Sequence, residues 1–326
     1  MGVLVLSHSE VVAALPPTDC ADAMAAVLAA HARGEAYMPL RSVMMPPSAA
    51  GLMGLMPAWR GGGEPVFSLK AICVIPGNPA RRLDAHQGIV TLFDGETGVP
   101  TAILDASAIT EIRTAAVTAV ATRALAREDA RVLAILGAGV QGRAHLEALI
   151  HVRAFDEVRV YAPTREHARA VADRLPAVSV TAAGSAEEAV RGADVVVVAT
   201  NSRQPVLEHD WLGLGAHVNA VGASIPSARE IEVETIAASA LFVDSRESLR
   251  NEAGEYLLAV EQGAIGGEDH VRASIGEVLA GIAHGRRDEQ ELTMFRSLGL
   301  AVEDLAAAEH AVAAARRLGL GTEVEL

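Results

Sequence analysis

The chain has little cysteine, few aromatic side chains and fewer basic than acidic residues. Its 326 residues include two cysteines, and aromatic residues make up 3%. Two cysteines are too few for a disulfide framework or a zinc site, and the His and carboxylate residues show no metal-ligand spacing, so we expect no metal. The 27 Lys and Arg against 41 Asp and Glu give a formal net charge of −14. This excess of negative charge argues against nucleic acid or an acidic membrane as a partner.

The chain also lacks a long uncharged apolar run. Its first ten residues, MGVLVLSHSE, have neither the basic segment nor the long apolar stretch of a signal peptide. No apolar run approaches the roughly 18 residues of a membrane span. We therefore expect a cytoplasmic protein with no membrane partner. With 51% hydrophobic residues, the chain has ample apolar side chains for two domain cores.

The middle of the chain carries the pattern of a nucleotide-binding domain. The apolar segment RVLAILGAGV is typical of a buried parallel strand. Gly137 and Gly139 at its end and Gly142 just after it have the spacing G-x-G-x-x-G, and a helical pattern follows. Such glycines allow a tight turn, close approach of a pyrophosphate and helix-strand packing. Further strands are predicted in EVRVYA, VSVTA, DVVVVAT, HVNAVGA and ALFVDS, and helices in REHARAVADRL and SAEEAVRGA. This alternation predicts a Rossmann-type domain.

The residue after the second predicted strand bears on the choice of nicotinamide cofactor. An acidic residue at this place would bind the ribose 2′-hydroxyl of NAD. Ala162 holds the place instead, with Thr164 and Arg165 just beyond. No carboxylate is there to repel a 2′-phosphate, and Arg165 could pair with one, unless it is only a solvated residue at a helix start. We therefore favour NADP(H) over NAD(H) and expect Thr164 and Arg165 to bind the cofactor.

Two basic residues before the fingerprint stand in unusual local settings. Lys70 lies in an otherwise apolar strand, PVFSLKAICVIPG, where a lysine often only protects a sheet edge from aggregation. Arg113 follows Thr110, which we expect to be a helix N-cap, so that its charge opposes the helix dipole at a cost of roughly 0.3–1 kcal/mol. An anion bound at that helix start would remove the misfit. The other explanation is a salt bridge from Arg113 to a carboxylate of the chain.

Several segments, in order over nearly the whole chain, resemble the ornithine cyclodeaminase/μ-crystallin family. They are FSLKAICVIPGNP, GIVTLFDGETGVPTAILDASAITEIRTAAVTAVAT, ILGAGVQGRAH, NAVGASIPSAREIE, FVDSRES and MFRSLGLAVEDLAAA. The resemblance implies an α/β protein in which a Rossmann-type dinucleotide-binding domain is inserted into an α+β substrate-binding and dimerisation domain. We expect residues 1–114 and 303–326 in the outer domain, residues 115–302 in the inserted domain, and a homodimer.

The resemblance also implies roles for single residues. It places Arg41, Lys70 and Arg113 at the substrate carboxylate, and Leu298 near the substrate and the nicotinamide. The cofactor-binding residues that we expect, besides the glycines, Thr164 and Arg165, are Thr114, Val140, Gln141, Thr200, Asn201, Val221 and Ser297.

Three positions depart from the pattern of true ornithine cyclodeaminases. Ser224 stands where those enzymes carry a catalytic Asp, and a serine hydroxyl is no general base near neutral pH without an adjacent base. Gly54 stands where a Glu holds the distal amine, and Ala162 replaces the acid that favours NAD. In this respect the chain resembles the μ-crystallin-like ketimine reductases of the family, which have a Ser in the same GAS context and use NADPH.

The sequence therefore predicts NAD(P)H-dependent reduction of a C=N bond beside a carboxylate. A cyclic ketimine such as Δ1-pyrroline-2-carboxylate or Δ1-piperideine-2-carboxylate is the expected substrate. The predicted catalytic residues are Lys70, Arg113 and Ser224. Arg113, with Arg41, would clamp the carboxylate. Lys70 would donate a proton or order a donating water, with a pKa lowered by the two arginines. Ser224 would hydrogen-bond the substrate nitrogen or the nicotinamide carboxamide.

Other functions remain open from the sequence. An amino-acid dehydrogenase, for example of alanine, needs the same clamp but makes its imine from a 2-oxo acid and ammonia. A non-catalytic NADPH-binding protein, as in the lens-crystallin use of this family, would keep the nucleotide pocket without turnover. Ornithine cyclodeamination is disfavoured by Ser224, Gly54 and Ala162.

Overall fold

The structure, a computed structural model, describes residues 2–173 and 179–325. The chain divides into two compact units. The outer unit contains the chain up to Arg113 and from Gly299 onward, and the inserted unit is Thr114–Leu298. The boundaries expected from the sequence lie one residue later at the first crossing and four residues later at the second. Gly299 belongs to the outer unit because it leads directly into the C-terminal helix, which packs on the outer sheet.

The outer unit has strands and helices from both ends of the chain. Its strands are β1 (Gly2–Leu6), β2 (Ala36–Tyr37), β3 (Ser42–Met44), β4 (Leu52–Arg60), β5 (Val66–Val74), β6 (His86–Asp94), β7 (Pro100–Asp105) and β16 (Thr322–Glu325). Its helices are α1 (His8–Ala14), α2 (Pro17–Ala32) and α11 (Ala301–Leu318). Helix α3 (Ala106–Leu125) begins in this unit, and the boundary at Arg113 falls within it.

Among the described residues, the outer strands form one mostly antiparallel sheet in the order β16-β1-β7-β6-β5-β4-β2, with β3 also paired to β4. One face of β5 is covered by α11, so alternate residues Ser68, Lys70 and Ile72 are buried. Side chains of alternate residues point to opposite faces of a strand. Phe67 on the same strand therefore lies on the other face, where it is exposed.

Helix α3 begins earlier than the sequence predicts. Asp105, which precedes it, accepts a hydrogen bond at 2.8 Å from the N–H of Ala108, as an N-cap side chain does. The prediction that Thr110 is the N-cap is therefore wrong, because β7 turns directly into the helix and Asp105 caps it. Arg113 lies beyond the first turn, where the helix dipole no longer opposes a cation.

The inserted unit alternates strands with helices along the chain. Its strands are β8 (Val132–Leu136), β9 (Glu157–Tyr161), β10 (Val180–Ala182), β11 (Val195–Val198), β12 (His217–Ala220), β13 (Ala240–Val243), β14 (Val271–Ser274) and β15 (Thr293–Arg296). Its helices after α3 are α4 (Val140–Leu149), α5 (Arg165–Ala172), α6 (Ala186–Val190), α7 (Val233–Ala238), α8 (Arg246–Glu252), α9 (Gly254–Glu261) and α10 (Ile275–Leu279). Residues 174–178, where the predicted helix REHARAVADRL ends and the predicted strand VSVTA begins, lie outside the described residues.

The strands of the inserted unit form a parallel sheet in the order β10-β9-β8-β11-β12-β15-β13-β14 across the described residues. The first five places repeat the 3-2-1-4-5 order of a Rossmann fold, with the change of direction between β8 and β11. Strand β11 is four valines, all fully buried, as expected when helices cover both faces. The predicted fold class is confirmed, and its ligand edge is the edge where β8, β11 and β12 end.

Within the described residues, no single helix is long and apolar enough to cross a membrane. The pair α1 and α2, bent by 80° at the break between them, meets the same test of length and composition when the two are taken together.

Candidate active site

Lys70 lies in the interior of the outer unit. Its strand, β5, pairs with β4 on one side and β6 on the other, so the interpretation of Lys70 as an edge residue is wrong. The side chain is 2% exposed, and its ammonium lies 2.8 Å from both carboxylate oxygens of Asp304. It also donates a hydrogen bond to the hydroxyl of Thr110 at 3.3 Å. Because β5 faces α11 at this position, strand and helix bring the two charges together.

Arg113 is tied to the same helix by two carboxylates. Its Nε donates to Asp304 at 2.9 Å and its Nη1 donates to Glu303 at 3.0 Å. All three side chains are nearly or fully buried. The salt-bridge explanation of Arg113 is therefore confirmed, and the misfit at a helix start from which the sequence suggested an anion site is absent, because α3 begins at Ala106. The family-based expectation that Arg113 binds a substrate carboxylate is a separate argument and stays a prediction.

Arg41 meets Arg113 at Gly299, the residue that precedes α11 by two positions. The Nη2 of Arg41 donates to the carbonyl of Gly299 at 2.9 Å. Gly299 has φ +81°, and a Cβ there would lie 2.9 Å from Nη1 of Arg113. This position needs glycine for its backbone conformation and for the close approach of the guanidinium. Arg41, Lys70 and Arg113, with Glu303 and Asp304, form a group that we call the basic cluster.

The charges of the basic cluster shift the pKa values of its members. Burial lowers the pKa of Lys70 to about 8, the Asp304 carboxylate opposes this change, and the charges of Arg113 and Arg41 add to it. Burial would raise the pKa of Asp304, but the charges of Lys70 and Arg113 outweigh burial and keep it below its ordinary value. Lys70 therefore stays largely protonated at neutral pH yet can lose its proton at mildly alkaline pH.

His86 lies at the start of β6, close to the basic cluster. Desolvation of the ring is the main cause that lowers the pKa of His86, and the positive charges of Lys70 and Arg113 lower it further. Its backbone carbonyl accepts a hydrogen bond at 2.5 Å from the hydroxyl of Ser107 on α3. The ring is thus a neutral polar group beside the cations at neutral pH.

In the inserted unit, the glycine fingerprint lies in the turn between β8 and α4. Gly137 has φ +117°, and a Cβ there would lie 2.3 Å from the carbonyl oxygen of Ala199. A Cβ on Gly142 would lie 2.0 Å from the carbonyl oxygen of Gly137. Gly139, the N-cap of α4, has open space where a side chain would stand. The turn is thus tightly packed on the protein side and open at Gly139, which fits a pyrophosphate at the N-terminus of α4.

The other predicted cofactor residues of the sheet edge follow the ends of neighbouring strands. Thr164 is the exposed N-cap of α5 and Arg165 its exposed first residue, both after β9. Thr200 and Asn201 follow β11, and Val221 follows β12. Since the carboxyl ends of these parallel strands meet at one edge, the fold brings these residues to the same edge as the glycines. Ala162 after β9 is buried and puts no carboxylate there.

The remaining predicted cofactor residues lie on helices or beside β15. Val140 and Gln141 form the first turn of α4. Thr114 on α3 is buried, and its carbonyl accepts the hydroxyl of Thr118 at 3.2 Å. Ser297 and Leu298 are buried directly after β15, and the N–H of Leu298 donates to Asp244 at 2.5 Å. The structure describes these positions, and their contact with a cofactor stays a prediction.

Ser224 lies half-buried in the loop after β12. The sequence shows no base beside it, but the structure places the Glu230 carboxylate at hydrogen-bonding distance, 2.7 Å, from the N–H of Ala223, the preceding residue. Burial raises the pKa of Glu230 to about 7. Sequence reasoning missed Glu230 because nothing in SIPSAREIE marks this glutamate as buried.

Sequence reasoning also missed the two carboxylates of the basic cluster. Glu303 and Asp304 belong to the segment AVEDLAAA, where they look like ordinary first-turn acids of a helix. The available signal was that the residues around them are almost all Ala, Val and Leu, so that two acids had to share a buried face. Across residues 2–173 and 179–325, no group of three or more His, Cys, Asp or Glu side chains could hold a metal ion.

Comparison with known proteins agrees with this arrangement. The family model described as "Ornithine cyclodeaminase/mu-crystallin family" matches residues 2–316. Ketimine reductase mu-crystallin of Mus musculus is 39% identical over 276 residues, which are 85% of this chain and 84% of the mouse protein.

Two solved structures are similar over the full length. Δ1-pyrroline-2-carboxylate reductase of Thermococcus litoralis, in complex with NADH and L-proline, has a TM-score of 0.95 at 33% identity and covers 99% of this chain and 100% of its own. An archaeal alanine dehydrogenase dimer with bound NAD has a TM-score of 0.94 at 33% identity and covers 100% of both chains. The resemblance seen in the sequence is confirmed: this chain belongs to the ornithine cyclodeaminase/μ-crystallin family.

Proposed function

We propose that this chain reduces the C=N bond of a cyclic ketimine that carries a carboxylate on the imine carbon, such as Δ1-pyrroline-2-carboxylate or Δ1-piperideine-2-carboxylate, and so forms the cyclic amino acid. The coarser prediction, an NAD(P)H-dependent oxidoreductase acting on CH–NH or CH–NH₂ groups, is confirmed by the named relatives. The observation that carries the finer proposal is the basic cluster, with a buried lysine of pKa about 8 beside two arginines.

The basic cluster brings three cations together. Lys70 and Arg113 are buried, and Arg41 is partly buried and donates to the carbonyl of Gly299, which lies against the guanidinium of Arg113. A substrate carboxylate that accepts hydrogen bonds from these arginines would form charge-assisted bonds, which are among the strongest in proteins. This proposal assigns Arg113 and Arg41 to the carboxylate.

Lys70 is placed to manage the proton of the reaction. When bound, NAD(P)H supplies a hydride to the imine carbon. An imine accepts a hydride more readily once its nitrogen is protonated, because the positive nitrogen withdraws electrons from that carbon. With a pKa of about 8, Lys70 is about nine-tenths protonated at pH 7 and can give its proton to the nitrogen, directly or through a water molecule. Asp304 holds the ammonium in place.

Two residues of the inserted unit are proposed to complete the reaction. Ser224 would hydrogen-bond the substrate nitrogen or the nicotinamide carboxamide, and Leu298 would pack near both. The turn with Gly137, Gly139 and Gly142 fits the pyrophosphate, as its packing indicates. For the adenosine ribose, Ala162 and Arg165 support NADPH over NADH, because the position directly after β9 carries no acid that would bind the 2′-hydroxyl or repel a 2′-phosphate.

The decisive experiment is a screen of NADPH and NADH oxidation with cyclic ketimines, and with 2-oxo acids in the presence and absence of ammonia. We expect turnover of a cyclic ketimine without ammonia and a higher kcat/KM with NADPH. Lys70→Met should lower kcat/KM by at least about 100-fold, the usual range for loss of a general acid. Wild-type turnover by Lys70→Met on a good substrate would contradict the role of Lys70.

The second candidate is an amino-acid dehydrogenase, which the alanine dehydrogenase neighbour favours. That enzyme would need the same carboxylate site but would form its imine from a 2-oxo acid. Strict dependence of NADPH oxidation on ammonia would select this candidate over the ketimine reductase. Turnover of either kind would exclude a non-catalytic nucleotide-binding protein.

We also propose that the chain forms a homodimer through the sheet face opposite to α11. On this face Leu55, Phe67 and Ile89, on three adjacent strands, are between 38% and 48% exposed, and Met44 on β3 is more exposed still. An apolar face of this kind is typical of an interface. The similar archaeal alanine dehydrogenase is described as a dimer. The location in the cytoplasm stays a prediction.

Light scattering after size-exclusion chromatography tests the dimer. Phe67→Lys should give a monomer, because burying a lysine in an apolar interface costs several kcal/mol. Val12→Lys is the matched control, since Val12 is 49% exposed on α1 and lies off this face. A dimeric Phe67→Lys variant would refute the assignment of the interface to this face.

A further inference from the structure

Glu230 is a fully buried carboxylate in the loop between β12 and α7. One of its oxygens, Oε1, accepts the N–H of Thr200 at 2.6 Å and the hydroxyl of Thr200 at 2.7 Å. The other, Oε2, accepts the N–H of Ala223 at 2.7 Å. Three donors therefore converge on one side chain, which is the bonding that a carboxylate anion prefers because it can only accept.

These three hydrogen bonds join two loops at the ligand edge of the parallel sheet. Thr200 follows β11 and Ala223 follows β12, and the two strands are neighbours. The junction is tightly packed, because a Cβ on Gly222 would lie 2.5 Å from Oε1 of Glu230 and 2.0 Å from the carbonyl oxygen of Thr200. Glu230 thus fixes the distance between the two loops, and no side chain larger than that of glycine fits between them.

Arg296 on β15 binds backbone carbonyls of the same loop. Its guanidinium donates to the carbonyls of Ala220 at 2.9 Å and of Ala223, and to that of Ser297 at 2.8 Å. Ala223, next to Ser224, therefore has its N–H bound by Glu230 and its carbonyl bound by Arg296. The charge of Arg296 is paired with Glu255 of α9, 2.7 Å from Nε, and both side chains are buried.

We infer that Glu230 is a positioning residue for the pyridine nucleotide: its ionised carboxylate keeps the loops after β11 and β12 in the conformation that binds the cofactor. The inference rests on the proposed function, in which the nucleotide lies at this edge and Thr200 is one of its contacts. Glu230 acts through Thr200 and Ala223, which it holds at fixed positions. Its own carboxylate is buried below them.

Protonation of Glu230 would break this arrangement. A protonated carboxyl places a hydrogen on an oxygen to which N–H or O–H donors already point, so at least one of the three bonds must be lost. Burial raises the pKa of Glu230 to about 7, against the hydrogen bonds of Thr200 and the charge of Arg296, and the negative charge of Glu255 adds to the increase. Nucleotide affinity should therefore be high above pH 7 and fall as the pH drops below 7.

The test is a fluorescence titration of the full-length protein with NADH, without substrate, from pH 6 to pH 8.5. NADH is the probe because it lacks the 2′-phosphate of NADPH. That phosphate, like other phosphate monoesters, has a pKa of about 6 and would add its own pH dependence. If the ionised form alone binds, the Kd of the wild type should increase about tenfold from pH 8 to pH 6.

Three variants separate the role of Glu230 from a general structural effect. Glu230→Gln should weaken NADH binding at pH 8 by at least tenfold and lose the pH dependence. The NH₂ group of the amide is itself a donor, so it cannot accept the hydrogen bonds that the replaced oxygen accepted. Glu230→Asp, which keeps the charge, should bind more tightly than Glu230→Gln and remain pH dependent. Glu232→Gln is the matched control, since Glu232 lies two residues away and its carboxylate accepts only the N–H of His209, at 3.0 Å, among the bonds described. It should bind as the wild type does.

Glu255→Gln gives a second readout if Glu230→Gln does not fold. Removal of the Glu255 charge, with that of Arg296 left in place, should lower the pKa of Glu230 and move the midpoint of the pH dependence to lower pH. An unchanged midpoint in a folded Glu255→Gln protein would overturn the inference. Wild-type affinity in Glu230→Gln at pH 8 would overturn it also, while leaving the proposed function intact. Failure of the wild type to bind NADH or NADPH would overturn the proposed function and this inference together.

Discussion

Removal of the Asp304 charge should move the alkaline limit of activity to lower pH. Asp304→Asn leaves the shape of the side chain nearly unchanged but takes away the anion that lies 2.8 Å from the Lys70 ammonium. At this distance and an effective dielectric constant of about 20, the lost attraction amounts to about 6 kcal/mol, or about 4 pKa units. Relaxation and entry of water will recover much of this energy, so we expect the pKa of Lys70 to decrease by at least about one unit from its value of about 8.

The direction of the pH effect follows from the form of Lys70 that works. In the proposed mechanism activity requires the ammonium of Lys70, so activity should be lost as the pH rises through the pKa of Lys70, and a lower pKa should move this loss to lower pH. The assay is kcat/KM for a cyclic ketimine from pH 6 to pH 9.5. The wild type should lose activity near pH 8, and Asp304→Asn should lose it near pH 7 or below.

Controls separate this effect from loss of structure. Breaking a buried ion pair costs about 3–5 kcal/mol of stability, so circular dichroism and a thermal transition must show that Asp304→Asn is folded at the assay temperature. Glu309→Gln is the matched variant, because Glu309 lies on the same helix and pairs with Arg60, and both side chains are partly exposed. Its pH profile should equal that of the wild type. A folded Asp304→Asn enzyme with the wild-type alkaline limb would refute the pairing of Lys70 and Asp304 as the control of that pKa.

Three further predictions concern the inserted unit. Gly142→Ala should weaken NADPH binding by at least tenfold in a fluorescence titration, because its Cβ would lie 2.0 Å from a backbone carbonyl, whereas Gly213→Ala, with open space around its Cβ, should bind normally. Ala162→Asp should shift the ratio of kcat/KM for NADPH over NADH by at least tenfold toward NADH, and an unchanged ratio would place the ribose elsewhere. Burial lowers the pKa of His145 to about 4 and that of His217 to about 3, so the unfolded chain binds protons on them between about pH 4 and 6.5 that the folded chain does not. Stability measured by urea unfolding should therefore fall as the pH drops below 6.5, and His145→Gln should make this fall less steep.

The sequence predicted those parts of the fold that depend on residues close together in the chain. Strands β8 and β11 are continuous apolar runs because helices cover both faces of a parallel sheet, and this burial can be read from the residues themselves. The turn at Gly137 and Gly142 was predictable because the backbone there leaves no room for a side chain. The start of α3 was not predictable in this way. Asp105 is both the last residue of β7 and the N-cap of α3, so no turn residue marks the change from strand to helix.

The basic cluster shows where local patterns fail. The setting of Arg113 in the sequence suggested an external anion, but its partners are Glu303 and Asp304, about 190 residues away along the chain. Lys70 lies 234 residues from Asp304. Each of these residues, taken alone, has an ordinary explanation as a solvated charge. Their shared burial comes from α11 crossing the sheet.

The sequence by itself determined the family, the Rossmann pattern of the inserted unit and the identity of the cations, since these depend on periodicity, glycine spacing and matching segments. Only the tertiary structure decided the state of those cations. A buried charge takes its pKa and its partner from whatever the fold packs against it, and the fold packs Asp304 against Lys70 and Thr200 against Glu230. Neither pairing follows from residues adjacent in the chain, because packing between distant segments sets both distances.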